Sequence, residues 1–190
     1  MSEKSSLWVK RFLPYIKSGG CVLDLACGGG RHSLLLHAAG YRVEAVDRDA
    51  GAQAEISAKA PGISTRAADL EAGPWPYDGR RFDGIVVTNY LFRPLLPLLL
   101  DALEEGGVLI YETFMAGNER FGKPSNPAFL LRPGELLDVV HGRLTVLAFE
   151  QGEVDAPRPA VVQRLCATRK AGPFTAGVGG GKSGAGSEAR

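Results

Sequence analysis

Cysteine is scarce in this chain: Cys21, Cys27 and Cys166 are the only three in 190 residues. The number is odd, and no Cys-x-x-Cys pair or histidine cluster accompanies them. That argues against a disulfide framework and against a structural zinc site, and no metal is expected. A reducing compartment suits such usage. Charge of one sign is missing too, because 22 Lys and Arg against 21 Asp and Glu leave a net +1. Nucleic-acid binders carry a basic excess or stripe, so no nucleic-acid partner is expected. Long apolar runs are absent as well. The greasiest segment, "LFRPLLPLLL", is interrupted by Arg93, Pro94 and Pro97 and is too short to span a bilayer. The first residues, "MSEKSSLWVKRFLPYIK", carry charges throughout and lack the apolar core of a signal peptide. The expectation is a soluble, cytoplasmic protein with no membrane partner.

What remains is an ordinary globular composition, 45% hydrophobic and 23% charged, in a length that favours one domain. Residues 171–190 are Gly-, Ala- and Ser-rich with little to bury, so 170–190 is expected to be a disordered tail behind a single domain at 1–169. Apolar runs alternate with helical patterns before that. Leu7, Trp8, Phe12 and Ile16 have helix-like spacing, which predicts a helix over 5–17 that Pro14 bends or ends. "CVLDL", "YRVEAVD", "ISTRAADL", "FDGIVVTNY" and "VLIYETF" read as strands, and "RHSLLLHAAG" as a helix stopped by Gly40. Further helices are expected over about 50–60, from Pro94 to about Leu103, and within "RPGELLDVVHG". "RLTVLAFEQ" and "PAVVQRLCATR" pair as a closing hairpin. Strands alternating with helices imply an α/β fold with a mostly parallel sheet covered on both faces. In such sheets ligands lie beyond the carboxyl ends of the strands. That selects the loops after Leu25, Val46, Ala68, Thr88 and Ile110.

The first of these loops is the most informative. In "VLDLACGGGRHS" a glycine-rich stretch follows a strand and opens a helix, where unpaired N–H groups suit a phosphate or a carboxylate. Gly28 and Gly30 fit two positions of a dinucleotide fingerprint, but Ser33 stands at the third. A P-loop would need Gly-Lys-Ser/Thr where Arg31 and His32 stand. Asp24, four residues before Gly28, would repel pyrophosphate and welcome an ammonium or sulfonium group. Asp47 ends the second strand, where a carboxylate accepts both hydroxyls of a ribose. Asp69 ends the third, within reach of an adenine amino group. Three acids at three successive strand ends point to one cationic nucleoside.

These segments together resemble the class I S-adenosylmethionine-dependent methyltransferases, over about Trp8 to Arg169. "VLDLACGGG", "VEAVDRD", "AADLE", "FDGIVVTNYL" and "LEEGGVLIYETF" follow the order of that family's motifs. Within it the chain is most similar to the small tellurite-resistance-type bacterial methyltransferases, which share the "GRHS"-like helix opening. Ala26 stands where the family usually has its first glycine; an alanine there is expected to be tolerated if its φ stays negative. The resemblance implies a Rossmann-like, mostly parallel seven-stranded sheet with helices on both faces and a C-terminal antiparallel hairpin. It implies S-adenosyl-L-methionine as cofactor, with Ala26, Cys27, Gly28 and Gly30 facing its methionine end and Asp24 near its amino group. Asp47 and Arg48 would surround the ribose, Asp69 and Leu70 the adenine, and Asn89 and Tyr90 the sulfonium. The N-terminal helix, through Trp8, would fold over the cofactor as a lid.

Among the other candidates, Tyr90 and Glu112 are assigned to catalysis, Arg93 and Arg120 to orienting an anionic substrate, and His32 to the cofactor's surroundings. Each has a plainer reading: Trp8 as core, Trp75 as loop packing, Cys27 as a small apolar group, His37 and His141 as surface or capping residues, and Glu112 as a solvated strand-end acid. The expected reaction is methyl transfer to a small molecule or an oxyanion. The competing readings are a regulatory module that binds the cofactor without catalysis, and a nicotinamide-dependent oxidoreductase. Ser33 and Asp24 count against the last.

Overall fold

The structure, a computed structural model, describes residues 5–156 and 158–169. The expected tail lies outside the described residues. Seven strands form one sheet: β1 (Cys21–Leu25), β2 (Arg42–Asp47), β3 (Ser64–Ala67), β4 (Phe82–Thr88), β5 (Leu103–Phe114), β6 (Thr145–Val154) and β7 (Ala160–Thr168). Their spatial order is β3-β2-β1-β4-β5-β7-β6. The first five are parallel, and β7 runs antiparallel to both β5 and β6. This is the expected seven-stranded α/β sheet with its closing hairpin.

Period-2 alternation divides the core between the two faces of the sheet. Leu23, Leu25, Ile85, Val87, Leu109 and Tyr111 pack on one face, against α4 (Leu96–Asp101) and α5 (Glu135–Val140). Val22, Ala45, Val86 and Ile110 pack on the other, under α1 (Leu7–Phe12), α2 (Arg31–Ala38) and α3 (Ala50–Lys59). Asp24 falls on this second face, directly beneath α2. The predicted N-terminal helix is shorter than its pattern: α1 stops at Phe12, and a 3-10 turn over Leu13–Tyr15 absorbs Pro14. Pro94 likewise sits in a 3-10 turn, Arg93–Leu95, that leads into α4.

Residues 104–107, "EEGG", lie inside β5 as a bulge. Phe82 pairs with Leu103 but Gly84 already pairs with Val108. The displaced residues are held by the end of β7: Gly106 N–H donates to the Arg169 carbonyl at 2.6 Å, and Arg169 N–H donates to the Gly107 carbonyl at 2.9 Å. Among the described residues no helix is long and apolar enough to cross a membrane.

Candidate functional site

The strand order reverses between β1 and β4, which opens a crevice at their carboxyl ends. Both rims carry a left-handed residue that is not glycine, Ala26 at φ 52° and Asn89 at φ 55°. The condition set for Ala26, a negative φ, is therefore not met; the alanine takes the glycine's conformation at a cost of roughly 1 kcal/mol. The glycines that follow serve two ends. A Cβ on Gly30 would lie 2.5 Å from Ile56 Cγ1, so that residue stays small to seat α2 on α3. A Cβ on Gly28 or Gly29 would meet no atom within 4 Å, leaving this main chain open to a guest.

Three acids stand around the loop in three different states. Asp47, at the tip of β2, accepts from Gly28 N–H at 2.9 Å on one oxygen and from Asp49 N–H at 3.1 Å on the other. It thereby ties the glycine loop to the start of α3. Asp69 accepts from the N–H groups of Ala72 and Glu71, and these two bonds hold its exposed carboxyl below the usual range. Asp24 is only 1% exposed, and burial pushes its carboxyl up to about 7 despite a 2.6 Å bond from the Ser33 hydroxyl.

His32 joins the crevice to the N-terminal segment. Ser6 N–H donates to its Nε2 at 3.0 Å, so the proton of the neutral ring sits on Nδ1 and points at Thr88 Oγ1, 3.2 Å away. Burial, assisted by Arg31 and Lys10, lowers its pKa to about 4, so the ring is uncharged at neutral pH. Trp8 is placed in the core at 3% exposure, its indole N–H donating to the Leu165 carbonyl at 3.3 Å. Cys27 accepts from Gln53 Nε2, and burial with the nearby Asp24 raises its thiol to about 12, which rules out a ready nucleophile. Leu70 is buried in the core, whereas Arg48 is exposed beside the crevice.

The β4–β5 side is built differently. Beyond Asn89 and Tyr90 lies a cavity of about 200 Å³, with Glu71, Thr113, Phe114 and Phe129 among its walls. Tyr111 donates to the Tyr90 carbonyl at 2.9 Å, which fixes that residue's backbone. The Tyr90 hydroxyl is buried without a hydrogen-bond partner, and burial together with Glu71, Asp69 and Asp47 keeps it protonated.

Three other candidates are already paired. The Arg93 guanidinium holds Glu135 at 2.6 and 3.0 Å and also donates to the carbonyls of Ala128 and Leu130. Arg120 is paired with Glu153. Glu112 lies within β5 and not at its end, bonded to Arg164 of β7 at 2.5 Å. Arg164 continues to Glu150, and Glu150 to Arg11 of α1. Sequence reading missed Ser33 as the partner of Asp24, although its break with the dinucleotide fingerprint was the available signal. It also missed Glu71, Thr113 and Phe129, which no local pattern marks.

Residues 22–107 match the protein family described as a methyltransferase domain. That stretch is a methyltransferase domain. No curated protein matches it in sequence. Among solved structures, TehB of Haemophilus influenzae superposes with a TM-score of 0.73 at 21% identity, covering 90% of this chain. This chain spans 64% of that one. A TehB-like SAM-dependent methyltransferase from Corynebacterium glutamicum superposes at 0.63 with 20% identity, over 86% of this chain and 87% of its own. A methyltransferase from Mesorhizobium loti, described as S-adenosylmethionine dependent, gives 0.66 and 20%, over 85% and 95%. These likenesses share the fold of the methyltransferase domain.

Proposed function

We propose that this methyltransferase domain moves a methyl group from S-adenosyl-L-methionine to a small-molecule acceptor by in-line displacement. One observation carries the reading: Asp47 ties down Gly28 beside main chain that lies open at Gly28 and Gly29. An acid at the tip of β2 next to exposed backbone suits a nucleoside with an amino acid end. It does not suit pyrophosphate, which Asp24 and Asp47 would repel.

Asp47 and Arg48 then hold the ribose, Asp69 and the main chain of Leu70 the adenine, and Ala26 to Gly30 the methionine carboxylate. Asp24 faces the amino group from below the loop, and Asn89 and Tyr90 flank the sulfonium. The bound cofactor supplies a methyl group that is already activated. The residues of this chain therefore bind, align and keep water out. His32 contributes by holding the Ser6 end of the N-terminal segment against Thr88 at the rim. A cavity beside Asn89 and Tyr90 favours a catalyst over a module that only binds.

Calorimetric titration tests the reading. S-adenosylhomocysteine is expected to bind one to one and NADH not at all, with the affinity lost in Asp47→Ala. Binding of NADH, or no heat with S-adenosylhomocysteine, would overturn it. A screen of small acceptors followed by release of S-adenosylhomocysteine tests transfer itself.

A further inference from the structure

Which acceptor the cavity takes can be argued from its walls. Asn89 and Tyr90, at the tip of β4 across the crevice from the glycine loop, both line it, and Glu71 joins them from the turn after β3. The donor crevice and this cavity thus meet at the same two residues. Its volume, about 200 Å³, is below the roughly 300–1,000 Å³ of drug-sized sites, so the guest is small. Its polar groups are the Glu71 carboxylate, the Asn89 amide, the Tyr90 hydroxyl and Thr113, while Phe114 and Phe129 supply aromatic surface. Among the described residues no lysine or arginine lines it.

The two arginines expected to draw an anion are held elsewhere, Arg93 by Glu135 and Arg120 by Glu153. Asp47 and Asp69 act on the Tyr90 hydroxyl in the same sense as Glu71. An anion entering here would meet the Glu71 carboxylate and no counter-charge among the lining residues. A cation would meet the Glu71 carboxylate, the Tyr90 phenol beside it and two aromatic rings, which is the set of groups that stabilises ammonium ions.

We propose that this cavity binds a small amine, with its ammonium between Glu71 and Tyr90 and its carbon skeleton against Phe114 and Phe129. The proposal rests on the donor reading above and deepens it by naming the class of the acceptor. Glu71 and Tyr90 act as binding residues that set the amine beside Asn89; the ammonium gives one proton to the Glu71 carboxylate or to water, and the freed nitrogen lone pair then takes the methyl as the methyl–sulfur bond breaks and S-adenosylhomocysteine leaves.

The test uses protein saturated with S-adenosylhomocysteine and titrated with three probes: 2-phenylethylamine, 3-phenylpropanoate of similar shape, and tellurite. The amine is expected to bind at least about tenfold more tightly than either anion, since a hydrogen bond to a charged group outweighs one between neutral groups. Glu71→Gln should remove about tenfold of that affinity, with S-adenosylhomocysteine affinity within twofold of the parent, and Tyr90→Phe several-fold of it. Preference for phenylpropanoate or tellurite overturns the proposal and makes the site an anion pocket. An equal loss of S-adenosylhomocysteine affinity in Glu71→Gln also overturns it, because the cavity would then belong to the nucleoside. Failure of S-adenosylhomocysteine to bind the parent protein is a separate result, which brings down the donor reading and this proposal with it. Circular dichroism of both variants separates a lost contact from a lost fold.

Discussion

On the β1–β2 side of the crevice, the acids and the glycine loop come from short stretches of chain and are tied down by hydrogen bonds to main-chain N–H groups and, for Asp24, to a hydroxyl. Asp47 holds Gly28, Asp69 caps its own turn, and Ser33 holds Asp24 nine residues earlier. On the β4–β5 side, the walls come from the turn after β3, the ends of β4 and β5, and a distant loop. Side-chain pairs such as Arg93 with Glu135 hold that loop in place. The first arrangement suits the recognition of one fixed molecule. The second is a set of replaceable side chains on a fixed frame, which suits the part of the site that chooses an acceptor.

The largest expected effect breaks the donor side alone. Asp47→Ala removes an acceptor for ribose hydroxyls and frees Gly28, so S-adenosylhomocysteine affinity should fall about 100-fold, a loss of about 2.7 kcal/mol. Titration of Glu71→Gln alongside it should leave that affinity unchanged. If both variants lose donor binding equally, the two sides are one site and the comparison fails.

The next effect falls on the scaffold of the acceptor side. Glu135 is 4% exposed at its side chain and Arg93 38%. Arg93→Met leaves Glu135 buried with only Arg132 beside it, at a cost of about 2 kcal/mol after allowing for the exposure of the arginine. Urea denaturation should show that loss, with donor affinity unaltered in the protein that stays folded. An unchanged midpoint would mean that the clamp contributes nothing to holding the loop.

Asp24 gives a pH-dependent effect. Its carboxyl titrates near 3.8 in the unfolded chain and at about 7 in the folded one. Between those values the folded protein keeps a proton that the unfolded chain has released, so stability falls as pH rises from about 4 to about 7. Above that window the cost of the buried charge is fully present. Asp24→Asn should therefore be more stable than the parent at pH 8, by about 1–2 kcal/mol, and no more stable at pH 4. In the parent, a guest's ammonium near Asp24 would favour the charged form and release a proton on binding. Calorimetry at pH 7 in two buffers of different ionisation enthalpy reads that proton directly, and equal heats in both would remove Asp24 from the donor site.

The sheet, its hairpin and the donor loop were legible in the sequence because each is encoded locally. Alternation marks Leu23 and Leu25 against Val22 and Asp24, and a glycine run announces a turn into a helix. The fates of Arg93, Arg120 and Glu112 were not legible, since their partners lie 42, 33 and 52 residues away and no periodicity links them. The burial of Trp8 shows the same limit. Helix-like spacing fixed which face of α1 is apolar, but only the packed β7 carbonyl decides that the indole N–H is used inside the core. The cavity is the extreme case, because it exists only where distant loops meet.

The smallest effect compares the two rims through their left-handed residues. Alanine pays for a positive φ because its Cβ crowds the carbonyl that follows, whereas asparagine occupies this region with little penalty. Ala26→Gly relieves that crowding but adds freedom to the unfolded chain, and the two effects nearly offset, for a net gain of about 0.5 kcal/mol or less. Asn89→Gly has no crowding to relieve and only adds unfolded freedom, so it should lose about 0.5 kcal/mol. Denaturant midpoints of the two variants should therefore move in opposite directions from the parent. If both fall, the left-handed turn at Ala26 carries no strain, and the rim after β1 is as relaxed as the rim after β4.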